Sequence, residues 1–274
     1  MRLSALVPSA AAAIALSLVG SFAAAATVTS VNGASYTNSW HKLGTSNGTS
    51  AITTDQPRSG NGSLRLATNA SGHKATASYG GARGFWGTLA GNNLGTFGDL
   101  LSGSLGFEFY RDASSTVAAH LAPAFEIAFA NGANLKWEPV YNGYGTITEN
   151  QWYSVNLDRD SGLFYQYNGS VVTNGSAQLN LTLDGWLAST FGNDFTTSTV
   201  IRGISIQAGS GWTGSFVGYV DNVYFNAGST QLSANFEDPN APIPSPVPTP
   251  AAASAGLALL GALAAKRARR NAAR

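Results

Sequence analysis

Glu108 and Glu126 are the residues best placed, by type and spacing, to do chemistry. Glu108 lies between Phe107 and Phe109, and Glu126 between Phe125 and Ile127. Apolar residues at a spacing of two put each carboxylate on the polar face of a strand, opposite the aromatic side chains. If those strands are neighbours, the two acids share a surface with Lys136, Glu138 and Trp152. Two carboxylates about 5–10 Å apart, one with a raised pKa, are what hydrolysis of a glycosidic bond requires. The alternative is that both acids only solvate an outer sheet face, as antiparallel sheets allow. Other catalytic chemistries find no support. The three histidines, His41, His73 and His120, show no metal-ligand spacing and adjoin no Gly-x-Ser-x-Gly turn. They are expected on the surface or in loops. There is no Cys to act as nucleophile, zinc ligand or disulfide partner. The reading is therefore a non-enzyme, with Glu108 and Glu126 as the catalytic alternative.

Aromatic residues give the second signal. Trp137, Tyr141 and Tyr144 straddle an Asn/Gly segment, Trp212 follows Gly211, and Trp86 lies in another Gly-rich stretch. Flat rings stack on the apolar faces of sugars, so Trp137, Tyr141, Tyr144 and Trp212 are the candidate ligand contacts. Burial in a core is the competing fate of such rings.

These side chains need elements to hold them. Sustained 3.6-residue periodicity is absent between 27 and 236. Short alternating runs recur instead, at Leu105–Phe109, Phe125–Phe129 and Tyr153–Leu157, with further runs at 63–67, 134–141, 179–183, 200–208 and 216–225. Asn-Gly pairs at Asn61, Asn131, Asn142, Asn168 and Asn174 supply turns. Eight or more such strands predict an all-β fold, an antiparallel β-sandwich or jelly roll. Asn156-x-Asp158-x-Asp160 reads as a hairpin turn.

Charge separates along the 274 residues. The stretch 27–245 carries nine basic and fourteen acidic residues, while five basic residues and no acid follow from Lys266. An acidic body excludes nucleic acid as the partner. Residues 1–26 combine a basic start, an apolar Ala-rich run and a small-residue site, the parts of a secretory signal peptide cut after Ala26 or one residue earlier. Residues 237–250 form a Pro-rich linker. The uncharged 251–265 is expected as a hydrophobic helix, read as a transmembrane sorting helix, and 266–274 as a basic tail on the cytoplasmic side.

The order linker, apolar stretch and Lys266, Arg267, Arg269, Arg270 resembles the PEP-CTERM sorting signals that exosortases process. Thr249 replaces the Glu of the namesake motif, so Val247-Pro248-Thr249-Pro250-Ala251 is closer to the Val-Pro-x-Pro-Ala variant. That resemblance implies an exosortase-type partner, transient anchoring in the inner membrane, and delivery to the cell surface or extracellular matrix. Within the body, three segments resemble strands of carbohydrate-binding jelly rolls: Ser59 to Leu66, Gln151 to Leu157, and Gly218 to Phe225 with its Asp-Asn-Val. This second resemblance implies a polysaccharide partner and a possible structural Ca2+ on Asp221, with no other cofactor. A purely structural surface protein is the remaining alternative.

Overall fold

The computed structural model describes residues 25–32, 39–43, 45–81, 92–167, 171–191 and 194–242. The expected leader up to residue 24, Trp86, and the sorting residues Val247 to Pro250 and Lys266 to Arg270 lie outside them. Among the described residues, no helix is long and apolar enough to cross a membrane.

Two sheets face each other across one core. The first contains β1 (Ala26–Val28), β3 (Thr49–Thr53), β4 (Ser63–Thr68), β6 (Ser104–Arg111), β9 (Trp152–Leu157), β14 (Phe216–Ala227) and β15 (Thr230–Phe236). The second contains β2 (Trp40–His41), β5 (Lys74–Gly80), β7 (Ala124–Phe129), β8 (Asn134–Trp137), β10 (Phe164–Gln166) and β13 (Ile201–Gly209). A small hairpin joins β11 (Thr173–Asn174) to β12 (Ala177–Gln178). The expected β-sandwich is the observed fold. Its strand pairs are antiparallel, except that β1 runs parallel to β15.

Alternation explains the layering. Phe107, Phe109, Phe125, Ile127, Phe129, Ile204 and Ile206 turn inward and are at most 1% exposed. Each such side chain contributes roughly 1.5–3 kcal/mol by leaving water. Rings meet edge-on between the layers, as at Phe107 and Trp137, whose centroids are 5.6 Å apart.

Three local departures from the expected strands have simple causes. The run 134–141 stops at Trp137, because Pro139 cannot donate to the ladder and instead opens one 3-10 turn. The run 179–183 forms only an isolated bridge at Leu181 and gives way to helix α2 (Leu183–Ala188), capped by the Thr182 hydroxyl. Helix α1 (Phe97–Leu101) begins with a capping box between Thr96 and Asp99. The Asp158 carboxylate accepts the Asp160 and Ser161 N–H groups in a turn, but not the expected hairpin: β9 before it belongs to the first sheet and β10 after it to the second.

β14 organises the first sheet. On one side it pairs with β6 along most of its length, through a bulge between Asp221 and Tyr224. On the other side it pairs with β4 up to Val220 and with β15 from Val223. The extra residue keeps both Val220 and Val223 in the core. It also leaves a gap where β4 and β15 diverge, and residues 56–62 fill it.

Candidate functional site

The two glutamates do not meet. Glu108 belongs to β6 in the first sheet and Glu126 to β7 in the second. Each is opposite an inward Phe, so the carboxylates point away from each other with the core between them. The catalytic pairing of Glu108 with Glu126 is thus corrected by strand order. Glu126 is 1% exposed, accepts Gln207 Nε2–H at 2.7 Å, and has Lys136 Nζ at 3.8 Å. Lys136 is directly opposite Glu126 in the ladder, whereas Trp152 shares the face of Glu108.

Around Glu108 the outer face of the first sheet opens into a groove of about 260 Å³, lined by Glu108, Ser154, Asn156, Asn222 and Tyr224. Register places these residues together. Glu108 pairs with Ser154 and with Asp221, while Gly106 pairs with Asn156 and Tyr224. Gly106 is needed there, since a Cβ would come within 2.6 Å of the Tyr224 ring. The ring consequently lies down over the Gly106 backbone, and its hydroxyl donates to Asn156 Oδ1 at 3.1 Å. At the other end Trp152 is half-buried, with the Arg58 guanidinium 5.8 Å from its ring centroid.

Four donors surround the Glu108 carboxylate. Arg58 donates from Nε and Nη2 at 2.8 Å each, Ser154 Oγ at 2.7 Å, and Asn222 Nδ2 at 2.5 Å. A carboxylate has about four lone-pair positions, so this one is saturated. The Arg58 fork, helped by Ser154 and Asn222, holds its pKa down to about 2 against the opposing effect of burial. Glu108 is a fixed anion with no proton to give. Among the described residues, the Asn156 side-chain N–H groups and the Asn222 Oδ1 have no partner. The groove therefore offers the Tyr224 ring and both donors and acceptors, with its charge internally balanced, and Trp152 stands farther along the same sheet face beneath Arg58. That set suits an uncharged polyhydroxyl ligand.

The predicted aromatic loop is dismantled. Trp137 is 1% exposed, because it is an inward position of β8 packed on Phe107. Tyr144 folds back on Trp137, Phe109 and Tyr153 at 5.7–6.0 Å. Trp137 presents no free face and leaves the list of ligand contacts, whereas Tyr144 is half-buried. Tyr141 is half-buried edge-on to Tyr165, and Trp212 is half-buried edge-on to Phe216. His41 also departs from expectation: it is 2% exposed, its Nε2–H donates to the Gly80 carbonyl, and burial lowers its pKa. The residues missed in the sequence are Arg58, Ser154, Asn156, Asn222 and Tyr224. The two strand segments that carry four of them were visible, but not their pairing.

Asp221 sits at the gap in the sheet, 0% exposed. Its oxygens accept the Phe236 N–H at 2.9 Å and the Ser59 N–H at 3.2 Å. Burial raises its pKa to about 6, against the pull of these bonds. Both partners are backbone donors, and no group of three or more His, Cys, Asp or Glu that could hold a metal ion occurs among the described residues.

No family model matches the chain. No curated protein matches it either. Among solved structures it is similar to a family 11 carbohydrate-binding module from Clostridium thermocellum in complex with a β-1,3-1,4-mixed-linked tetrasaccharide. The identity is 11% and the TM-score 0.37, covering 69% of this chain and 89% of that one. An exo-β-agarase gives 15% identity and a TM-score of 0.38, covering 70% of this chain but only 23% of the agarase. A family 28 module specific for non-crystalline cellulose gives 16% and 0.30, covering 69% and 87%. At these scores the likenesses carry no argument about ligand or activity.

Proposed function

We propose that the chain is a non-enzymatic polysaccharide-binding protein, and that the groove between β9, β6 and β14 is its binding site. The observation that carries this reading is the saturated, ionised Glu108 between Trp152 and Tyr224. It fixes a polar floor between two rings and cannot serve as a general acid. Stacking on such rings, with a few hydrogen bonds, corresponds to Kd values of roughly 10 µM to 1 mM. Retention on a matrix then depends on many sites along one polymer. The mixed-linked tetrasaccharide bound by the family 11 module is the natural first probe. The test is retention of the protein on immobilised polysaccharides, with Trp152→Ala and Tyr224→Ala alongside. Retention unchanged in both variants contradicts the site, and no retention on any polymer contradicts the function.

The sequence ends support export as part of the same proposal. A cleaved leader delivers the body across the inner membrane, and an exosortase-type enzyme releases it from the 251–265 anchor to the surface or matrix. Replacing Arg267, Arg269 and Arg270 with Ala removes the positive-inside signal, so inner-membrane retention should fall. Wild-type fractionation of that variant contradicts the sorting reading.

A further inference from the structure

Arg58 stands on a segment that is fixed to the sheet through its neighbours. The Ser59 N–H donates to Asp221 Oδ2 at 3.2 Å, and the Ser59 carbonyl accepts an Asn235 Nδ2–H at 3.0 Å. The Ser59 hydroxyl accepts from Asn222 Nδ2, and the Asn61 N–H donates to Glu237 Oε2 at 2.5 Å. From this anchored turn the Arg58 side chain reaches over the outer face of the first sheet. Its Nε and Nη2 both donate to Glu108 at 2.8 Å, and its guanidinium carbon lies over the Trp152 ring, 5.8 Å from the centroid. The Arg58 side chain is 39% exposed and that of Glu108 only 16%, so the cation lies on the solvent side of the carboxylate. A carboxylate and an aromatic face both favour positive charge. The place that the guanidinium fills is therefore a cation subsite, occupied by the protein's own side chain.

We infer that Arg58 is a specificity-determining residue: it occupies a cation subsite made by Glu108 and Trp152, and so bars amine-bearing sugar chains from the groove and leaves it to neutral ones. The inference rests on the groove being a sugar site. A chain of glucosamine units carries an ammonium on each ring. Entering beside Arg58, that ammonium meets a carboxylate already neutralised and a guanidinium of like charge. Displacing Arg58 is no easier, because a tethered group competes at a high effective concentration. N-acetylation of the same sugar removes its charge and with it the repulsion. Without Arg58 the order reverses. Glu108 is then an anion beside an indole, and an ammonium with three donors can take the positions that the guanidinium vacates. Lysine in place of Arg58 loses the planar fork but keeps a cation on the carboxylate, so it keeps the barrier.

The experiment titrates the full chain by calorimetry with a glucosamine tetrasaccharide and with its N-acetylated counterpart, at a pH where the amines are charged. Arg58→Ala should bind the glucosamine tetrasaccharide at least tenfold more tightly than wild type, and the gain should shrink in high salt. Arg58→Lys should stay near wild type, and adding Glu108→Gln to Arg58→Ala should abolish the gain. Arg65→Ala removes the same charge from β4 of the same sheet and should also bind like wild type. No gain in Arg58→Ala overturns the inference. So does an equal gain for the N-acetylated sugar, which makes Arg58 a steric cover, or an equal gain in Arg65→Ala, which makes net charge the cause. The mixed-linked tetrasaccharide, titrated into wild type, tests the sugar site separately. If wild type binds it and Arg58→Ala gains nothing for the amine, the site stands and the inference falls. If Arg58→Ala gains while wild type binds no neutral sugar, Arg58 stands as the barrier and the neutral-sugar reading falls.

Discussion

Glu108 and Glu126 stand on the outward faces of opposite sheets, with the Phe107 and Phe125 rings 5.8 Å apart in the core between them. One is an open anion ringed by donors and the other is a buried partner of Lys136 and Gln207. Their roles should therefore separate on substitution. Glu126→Ala strands Lys136 and should cost about 3–5 kcal/mol in urea unfolding, without altering ligand affinity in the surviving fold. Glu108→Ala releases Arg58 and should instead weaken ligand binding severalfold. Equal effects of both variants on binding would reopen a shared site.

Asp221 and Glu108 pull stability in opposite directions with pH. The Asp221 pKa rises from its ordinary 3.8 to about 6, so between these values the folded chain holds a proton that the unfolded chain has lost. Stability from this group is present below about pH 4 and is lost as pH rises to 6, on the order of 3 kcal/mol. Glu108 is lowered to about 2, so its contribution is present above 4.5 and disappears as pH falls toward 2. Urea midpoints of wild type and Asp221→Asn between pH 4 and 7 isolate the first effect. The difference between the two proteins should change across that window, and a constant difference contradicts the assignment.

Metal is tested separately. With N–H groups on both Asp221 oxygens, chelation by EDTA should leave the melting temperature unchanged. A ligand bound only to the folded chain raises its stability, so a fall in chelator that added Ca2+ reverses would place calcium in the fold.

Trp137→Ala should behave as a core cavity and not as a lost contact. The expected cost is about 3–5 kcal/mol, with ligand affinity intact in the folded fraction. Tyr141→Ala and Trp212→Ala, at half-buried rings, should leave both stability and affinity closer to wild type. Loss of affinity in either would move the site to the loops beyond β8 and β13.

The sandwich was legible because Phe and Ile at a spacing of two have one physical outcome, an inward face. The same rule turned Glu108 and Glu126 away from the Phe side chains, but Lys136 and Trp152, expected on one surface with them, are divided between the two sheets. Which sheet each strand joins was not legible, since alternation says nothing about neighbours; this is why Glu108 and Glu126 were paired. Trp137 misled for a related reason. The Gly and Asn residues near it belong to the turn after Pro139, while the indole itself is the last inward position of β8. Arg58 was invisible because its role depends on a gap made by one extra residue in β14, some 160 positions away.

The central claim is that the face bearing Trp152, Glu108 and Tyr224 binds neutral sugar chains. Titration of wild type, Trp152→Ala and Tyr224→Ala with the mixed-linked tetrasaccharide, followed by calorimetry at low and high salt, tests it most directly. The account predicts one site with Kd between roughly 10 µM and 1 mM. Affinity should fall at least tenfold in each variant and change little with salt. Binding of equal strength in all three proteins, or binding that vanishes in salt, contradicts it.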